Sequence, residues 1–160
     1  MYEPGLYIRS PNERDVDKLA VLIFRFYSFN EEFDPAWSLA SNAEDISREL
    51  AVEYVKGGNG VVLVADYDGQ VVGYLRAVVR ENKILAWSKI GVIQELYVLP
   101  PYRGRGIARR LVEEAGRKLK EHGVKHVAAE FPALNYVAEN FYKEGKFRPY
   151  LNVYVRDVEV

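Results

Sequence analysis

The chain reads as a mixed α/β fold, and three observations lead there. The hydrophobic period changes along the sequence: residues 16–27 repeat at helical spacing, whereas 61–66, 71–79 and 90–99 are apolar runs of strand character. Asp68-Gly69, between the first two of those runs, is a hairpin signal. The run at 90–99 is followed by an amphipathic helix and then by another strand-like run at 124–131, and a strand–helix–strand unit implies a locally parallel pair joined by a right-handed crossover.

Each element has a local justification. Residues 4–9 form a short strand-like run. Ser10-Pro11-Asn12-Glu13 has the pattern of a capping box with Pro at the first helical position. The helix behind it carries Val16, Leu19, Ala20, Ile23, Phe26 and Tyr27 on its apolar face. Ser41-Asn42-Ala43-Glu44 is a second such box; Ile46, Leu50 and Tyr54 line one face of the following helix, which Gly57-Gly58 ends. A third helix, from about Gly104 to Glu121, packs through Ile107, Ala108, Leu111, Val112, Ala115 and Leu119 and stops at Gly123. Asn135 caps a short helix that runs to Glu144, with Gly145 at its end. Residues 147–158 return to strand character. The expected order is β-α-α-β-β-β-α-β-α-β, in a chain whose 160 residues suit one domain with a sizeable core.

Composition narrows the function classes. The net charge of −1 offers no global positive field for nucleic acid, and Arg103, Arg105, Arg109, Arg110, Arg117, Lys118 and Lys120 read as a solvated helix face. With no cysteine there can be no disulfide, thiolate nucleophile or cysteine metal site. His122 and His126 have the spacing of a helical metal pair, but Gly123 breaks the helix between them, so no metal is expected. No signal peptide or apolar run of membrane length is found, which makes a cytoplasmic protein without membrane partners the default expectation.

The most informative segment is Arg103-Gly104-Arg105-Gly106-Ile107-Ala108. A β-type run stops at Pro100-Pro101, two glycines follow one residue apart, and a helix starts at once, leaving backbone N–H groups ready for a phosphate or pyrophosphate. A Walker-type loop is set aside, since it needs four residues between its glycines and a following Lys. A dinucleotide fingerprint would need glycine where Arg109 stands. An Arg-x-x-Gly-x-Ala turn remains, in which small residues admit close approach of the ligand while the arginines add charge.

Glu95 through Ala108 resembles the acetyl-CoA-binding motif of the GNAT (GCN5-related) N-acetyltransferases, and Asn135-Tyr136-Val137-Ala138-Glu139-Asn140-Phe141-Tyr142-Lys143-Glu144-Gly145 resembles the family's second cofactor segment. Two departures stand out: Ala108 where Gly is frequent, and Lys146 inserted between Gly145 and Phe147. The resemblance implies a single GNAT domain over 1–160, with a mixed central sheet of about six to seven strands flanked by about four helices. It implies that the backbone of Arg103, Gly104, Arg105, Gly106, Ile107, Ala108 and Arg109 holds the pyrophosphate of acetyl-CoA. It implies that the pantetheine arm pairs with the backbone of Leu96, Tyr97 and Val98, where two strands splay, and that Asn135 bonds the arm. Gly91 could serve a bulge nearby.

The reaction the resemblance implies is direct acetyl transfer from acetyl-CoA to a primary amine. A lysine ammonium has a pKa of about 10.4 and an α-amino group one of about 8, so a base must remove a proton before attack. Glu95 is the candidate: it stands in an otherwise apolar strand, on the same face as Tyr97 by period-two alternation. The resemblance implies Tyr142 as the second catalytic candidate, as proton donor to the leaving thiolate and as a cofactor contact. A backbone N–H near Val98 would serve a developing oxyanion. By the same resemblance the acceptor, a small-molecule amine or the amine of a peptide or protein, would meet residues of about 24–45, among them Phe24, Tyr27, Phe29, Glu31, Glu32, Phe33, Asp34 and Trp37. Family members are often dimers, so a homodimer is one expectation. The competing class is a non-catalytic CoA-binding module of the same fold, which would have no use for Glu95 and Tyr142.

Overall fold

A computed structural model describes residues 5–159. Pro4, the first residue of the strand expected at 4–9, lies outside the described residues. The strands are β1 (Leu6–Arg9), β2 (Val61–Tyr67), β3 (Gln70–Glu81), β4 (Lys89–Val98) and β5 (Val127–Ala129), and the helices are α1 (Val16–Glu31), α2 (Ala43–Lys56), α3 (Ile107–Glu121) and α4 (Tyr136–Glu144). The sheet order is β1-β2-β3-β4-β5. Its first four strands pair antiparallel, and α3 carries the chain across to β5, which lies parallel to β4. Helices α1 and α2 pack on one face and α3 on the other.

The sheet thus has five strands among the described residues, fewer than the six to seven that the resemblance implies. Residues 147–158 do not form the expected strand: from Arg148 to Glu159 every residue is exposed and none belongs to a helix or ladder. Their alternation is a good β pattern, but a pattern makes a strand only where a partner edge lies alongside.

The two capping signals mark real helix starts but not at the expected residues. The capping box lies at Asn12, not Ser10: the Asn12 side chain accepts from the Arg14 N–H, and Asp15 accepts from the Asn12 N–H. Asp15 also takes a bidentate bond from Arg9, which ties the end of β1 to the start of α1. Burial would raise the Asp15 carboxyl, but the Arg9 guanidinium and the Asn12 N–H outweigh it and hold the group below the usual carboxylate range. At α2 the cap residue is Asn42, with no side-chain capping bond, and the buried face is Ser47, Ala51 and Tyr54; Ile46 points to solvent. The hairpin at Asp68-Gly69 forms as expected, both residues having positive φ (50° and 86°), the geometry of a type I′ turn.

One irregularity decides the layout of the site. The β3–β4 register slips between Arg76 and Ala77, so that Gln94 is an extra residue between Ile93 and Glu95. With unbroken alternation, Gly91 and Glu95 would share a face. Here a Cβ on Gly91 would lie 2.6 Å from Leu119 of α3, whereas Glu95 bonds Tyr54 of α2. The bulge is therefore at Gln94. Gly91, the residue named for it from sequence, instead lets α3 pack closely against β4.

Candidate active site

The β4–β5 ladder is short. It pairs Gly91 to Ile93 with Val127 to Ala129, and a last bond runs from the Glu130 N–H to the Ile93 carbonyl at 2.9 Å. Beyond that point β4 continues to Val98 paired with β3 and without β5. The Leu99 N–H bonds the Val72 carbonyl, and Tyr97 stands opposite Tyr74. Since alternate residues of an antiparallel strand bond a given neighbour, Glu95 and Tyr97 direct their backbone groups to β3, and Leu96 and Val98 direct theirs to the open side. That side is a cavity of about 500 Å³ between β4, the start of α3, the segment after β5, and α4.

The sequence-derived candidates distribute around it as follows. Leu96, Tyr97, Val98, Arg103, Gly104, Gly106, Ile107, Ala108, Arg109, Asn135, Tyr142 and Glu95 all border the cavity, and Arg105 does not. The Arg105 guanidinium lies over the rings of Tyr67 and Tyr102 and donates to the Tyr67 hydroxyl at 3.1 Å. Gly104 and Gly106 both take φ of 78°, a conformation suited to glycine, and Gly106 is the residue from which α3 starts. Among the described residues no side chain caps α3, so the N–H groups of Ile107, Ala108 and Arg109 face outward at the positive end of the helix dipole. Arg103 turns the other way: its Nε donates to the Val98 carbonyl at 2.8 Å, and its guanidinium packs over Phe29 and Tyr97.

Glu95 is 1% exposed and is gripped by long-range partners. Tyr54 Oη donates to it at 2.6 Å and Tyr74 Oη at 2.9 Å, while Arg76 Nη1 stands 3.5 Å away and lies over the Tyr54 ring. Burial pushes the Glu95 carboxyl above the usual carboxylate range; the tyrosine hydroxyls and the Arg76 guanidinium oppose this without cancelling it. Burial, and then the Glu95 charge, push the hydroxyls of Tyr27, Tyr54 and Tyr74 upward, so all three remain protonated donors.

Tyr142 sits at the opposite wall. Its ring is stacked on Phe131 and flanked by Phe141 and Phe147, at centroid distances of 5.1–5.5 Å. Its hydroxyl has no protein partner among the described residues and is not sealed off, so it opens to the cavity. Burial raises its pKa, which keeps the proton on the oxygen. Phe147 is held there by the end of α4: Lys146, with φ of 70°, takes the left-handed position, and the Phe147 N–H bonds the Tyr142 carbonyl at 2.9 Å.

Residues 24–146 match the model of the acetyltransferase (GNAT) family. The chain belongs to the GNAT family. It is 36% identical over 87 residues to an uncharacterized N-acetyltransferase of Archaeoglobus fulgidus, covering 54% of this chain and 59% of that one. It is 29% identical over 103 residues to an N-alpha-acetyltransferase of Sulfolobus acidocaldarius, covering 61% of each. The chain thus spans less than two thirds of the length of these relatives. Among solved structures, an aminoglycoside N-acetyltransferase in complex with CoA has the same fold, with a TM-score of 0.76 at 18% identity over 99% of this chain and 100% of that one.

In this GNAT protein several residues of the site escaped the sequence reading. Tyr54, Tyr74 and Arg76 surround Glu95 from two other elements, and no local spacing announces that. Asn30 is 2% exposed near the end of α1; its Nδ2 donates to the Phe26 carbonyl and its Oδ1 accepts from Asn135 Nδ2 at 2.9 Å. Asn135 in turn caps α4 by accepting from the Ala138 N–H. A polar residue on an otherwise apolar helical face was the available signal for Asn30. Two acidic residues of 31–34 are engaged locally: Glu31 accepts from the Leu39 N–H and Asp34 from the Ala36 N–H.

Proposed function

We propose that the chain is an N-acetyltransferase that moves an acetyl group from acetyl-CoA to a primary amine by direct transfer. The observation that carries this reading is the open edge of β4 running straight into the uncapped N-terminus of α3. An elongated ligand with amides along its arm and a pyrophosphate at one end matches that sequence of donors and acceptors. The backbone of Leu96 and Val98 would hold the arm, and the N–H groups from Gly104 to Arg109 the pyrophosphate, with Arg105 contributing through its backbone alone. Asn135, already fixed by Asn30, would offer the arm its remaining capacity.

Acetyl-CoA supplies an activated thioester carbonyl. The residues then have separable roles. The Val98 N–H faces the cavity and can donate to an oxyanion. Tyr142 holds its proton in an aromatic cage and can release it to a leaving thiolate. Glu95 takes the ammonium proton through a water or one of the hydroxyls around it, its raised pKa bringing it nearer to neutrality as a base should be. Phe26, Phe29 and Asn30 of α1 line the inner cavity where the amine would sit. One relative is named an N-alpha-acetyltransferase and one neighbour of the same fold an aminoglycoside N-acetyltransferase; both names fit an amine acceptor without choosing within that class.

Isothermal titration with acetyl-CoA, followed by an amine panel read out by release of the CoA thiol, tests the proposal. Saturable binding and amine-dependent release are expected, with no acetylated protein seen by mass spectrometry during turnover. Absence of binding at large cofactor excess overturns the reading.

A further inference from the structure

Asp15 and Glu95 are both buried carboxylates beside an arginine, and the arginine is used differently at each. Burial pushes the Asp15 carboxyl up, but two bonds from Arg9, at 2.7 and 3.1 Å, and one from the Asn12 N–H hold it below the usual range. Glu95 is the more deeply buried, at 1% exposed against 6%, and its carboxyl stays raised although Tyr54 and Tyr74 donate to it. A charge-assisted bond from an arginine to a carboxylate measures about 2.8 Å. Arg76 Nη1 stands 3.5 Å from Glu95 Oε2. Its hydrogen goes instead to the side chain of Gln94, whose Oε1 accepts it. A guanidinium has donors and no acceptor, so it fixes the Gln94 amide with the oxygen toward it.

The slip in β4 makes this competition possible. In a regular strand, neighbours point to opposite faces, so the residue before Glu95 would turn away from it. Gln94 is the supernumerary residue, and both it and Glu95 reach groups on the α2 side of the sheet. Glu95 bonds Tyr54, and Gln94 bonds the guanidinium that lies over the Tyr54 ring. One cation therefore faces two adjacent acceptors. The other groups that face Glu95 are the hydroxyls of Tyr27 from α1, Tyr54 from α2 and Tyr74 from β3. Burial, and then the Glu95 charge, keep the protons on all three. Among these neighbours Arg76 is the one that carries a charge, and its placement governs how firmly the carboxyl holds a proton.

We propose that Gln94 is a positioning residue for the base: by taking the Arg76 hydrogen it keeps the guanidinium from bonding Glu95, and so preserves a carboxylate able to accept an ammonium proton. The step moves one proton from the ammonium to Glu95 and leaves a neutral amine and a carboxylic acid. An arginine bonded to the carboxylate would oppose it by favouring the charged form. The inference rests on Glu95 being the base of the acetyl transfer proposed above, but its first test needs neither cofactor nor amine.

Carbon NMR of the full chain, with glutamate labelled at Cδ and the Glu95 signal assigned by its loss in Glu95→Gln, reads the carboxyl titration directly. Gln94→Met keeps the side-chain length and removes the acceptor. Its Glu95 midpoint should fall by roughly one pH unit, the effect of bringing an arginine onto a carboxylate. Gln94→Glu keeps an oxygen for Arg76 and should leave the midpoint at or above that of the wild type; a fall there counts against the proposal. Arg76→Met should raise the midpoint, and in that background Gln94→Met should change nothing further. An unchanged or raised midpoint in Gln94→Met overturns the proposal; that result is expected if the freed guanidinium turns into the second cavity that Arg76 and Tyr54 border, at the C-terminal end of α2. A fall of the same size with Arg76 absent overturns it as well. The acid limb of kcat/KM should move to lower pH together with the carboxyl midpoint. If the midpoint falls and the limb stays, the placement of Arg76 by Gln94 stands and the assignment of Glu95 as the base is overturned.

Discussion

The two halves of β4 belong to one strand and do different work. From Gly91 to Ile93 it is bonded on both sides, to β3 and to β5, and Gly91 lets Leu119 settle against it. From Glu95 to Val98 its one strand partner among the described residues is β3, and its second edge, where Arg103 reaches the Val98 carbonyl, faces a cavity. Both halves are mostly buried and both read as apolar β sequence. What separates them is the single extra residue at Gln94. A sheet can therefore hold scaffold and binding edge within ten residues, with the change of role made by register rather than by composition.

The largest expected effect tests the open half. Glu95→Gln removes the proposed base and should lower kcat/KM by about 10²–10³-fold. In the wild type, kcat/KM should fall as pH drops through a pKa above the ordinary carboxylate range, and that limb should vanish in the variant. Stability carries a second sign. The folded chain holds the Glu95 proton more tightly than the unfolded chain does, so this group favours folding at low pH and the benefit is lost as pH rises through the folded pKa. Melting temperature measured against pH should show that slope in the wild type and not in Glu95→Gln.

Tyr142→Phe comes next. It keeps the aromatic cage and deletes only the hydroxyl, so kcat should fall about 10²-fold while acetyl-CoA affinity stays within a few-fold by titration. Unchanged turnover would take Tyr142 out of the chemistry. On the closed half, Gly91→Val forces side-chain atoms into Leu119 and should cost about 1–3 kcal/mol of stability in denaturant melts. If acetyl-CoA binding survives in the folded fraction, the two halves are separable as described. The smallest effect is Lys146→Gly: relieving the left-handed conformation of a non-glycine residue should stabilise the chain by about 0.5–1 kcal/mol, with turnover unchanged.

The contrast between the halves also explains what the sequence could disclose. The glycine turn, the Asp68-Gly69 hairpin and the Asn135 cap depend on residues within a few positions of one another, and all three stand where they were read. Period-two alternation placed Glu95 and Tyr97 on one face, and the structure keeps them there. Alternation cannot say which edge of a strand is bonded, so the bulge at Gln94 and the outward backbone of Leu96 and Val98 were invisible. Helical spacing recognised α2 but turned its face by one position, because Ser47 buries as well as Ile46 would when its hydroxyl bonds the Ala43 carbonyl. The grip of Tyr54, Tyr74 and Arg76 on Glu95 joins residues 19 to 41 positions apart. The strand expected at 147–158 is missing for a different reason: the β propensity is there, but among the described residues no edge pairs with it.

The bulge at Gln94 has a mechanical consequence as well. A strand of uniform pleat can slide by two residues along its neighbour and keep the same face inward. A strand with one supernumerary residue cannot, because its irregularity must stay opposite the Arg76–Ala77 step. Gln94 acts as a detent. It fixes the distance along β4 between the glycine that seats α3 and the carbonyl that Arg103 grips, so that the helix terminus and the strand edge meet the same ligand at a set spacing.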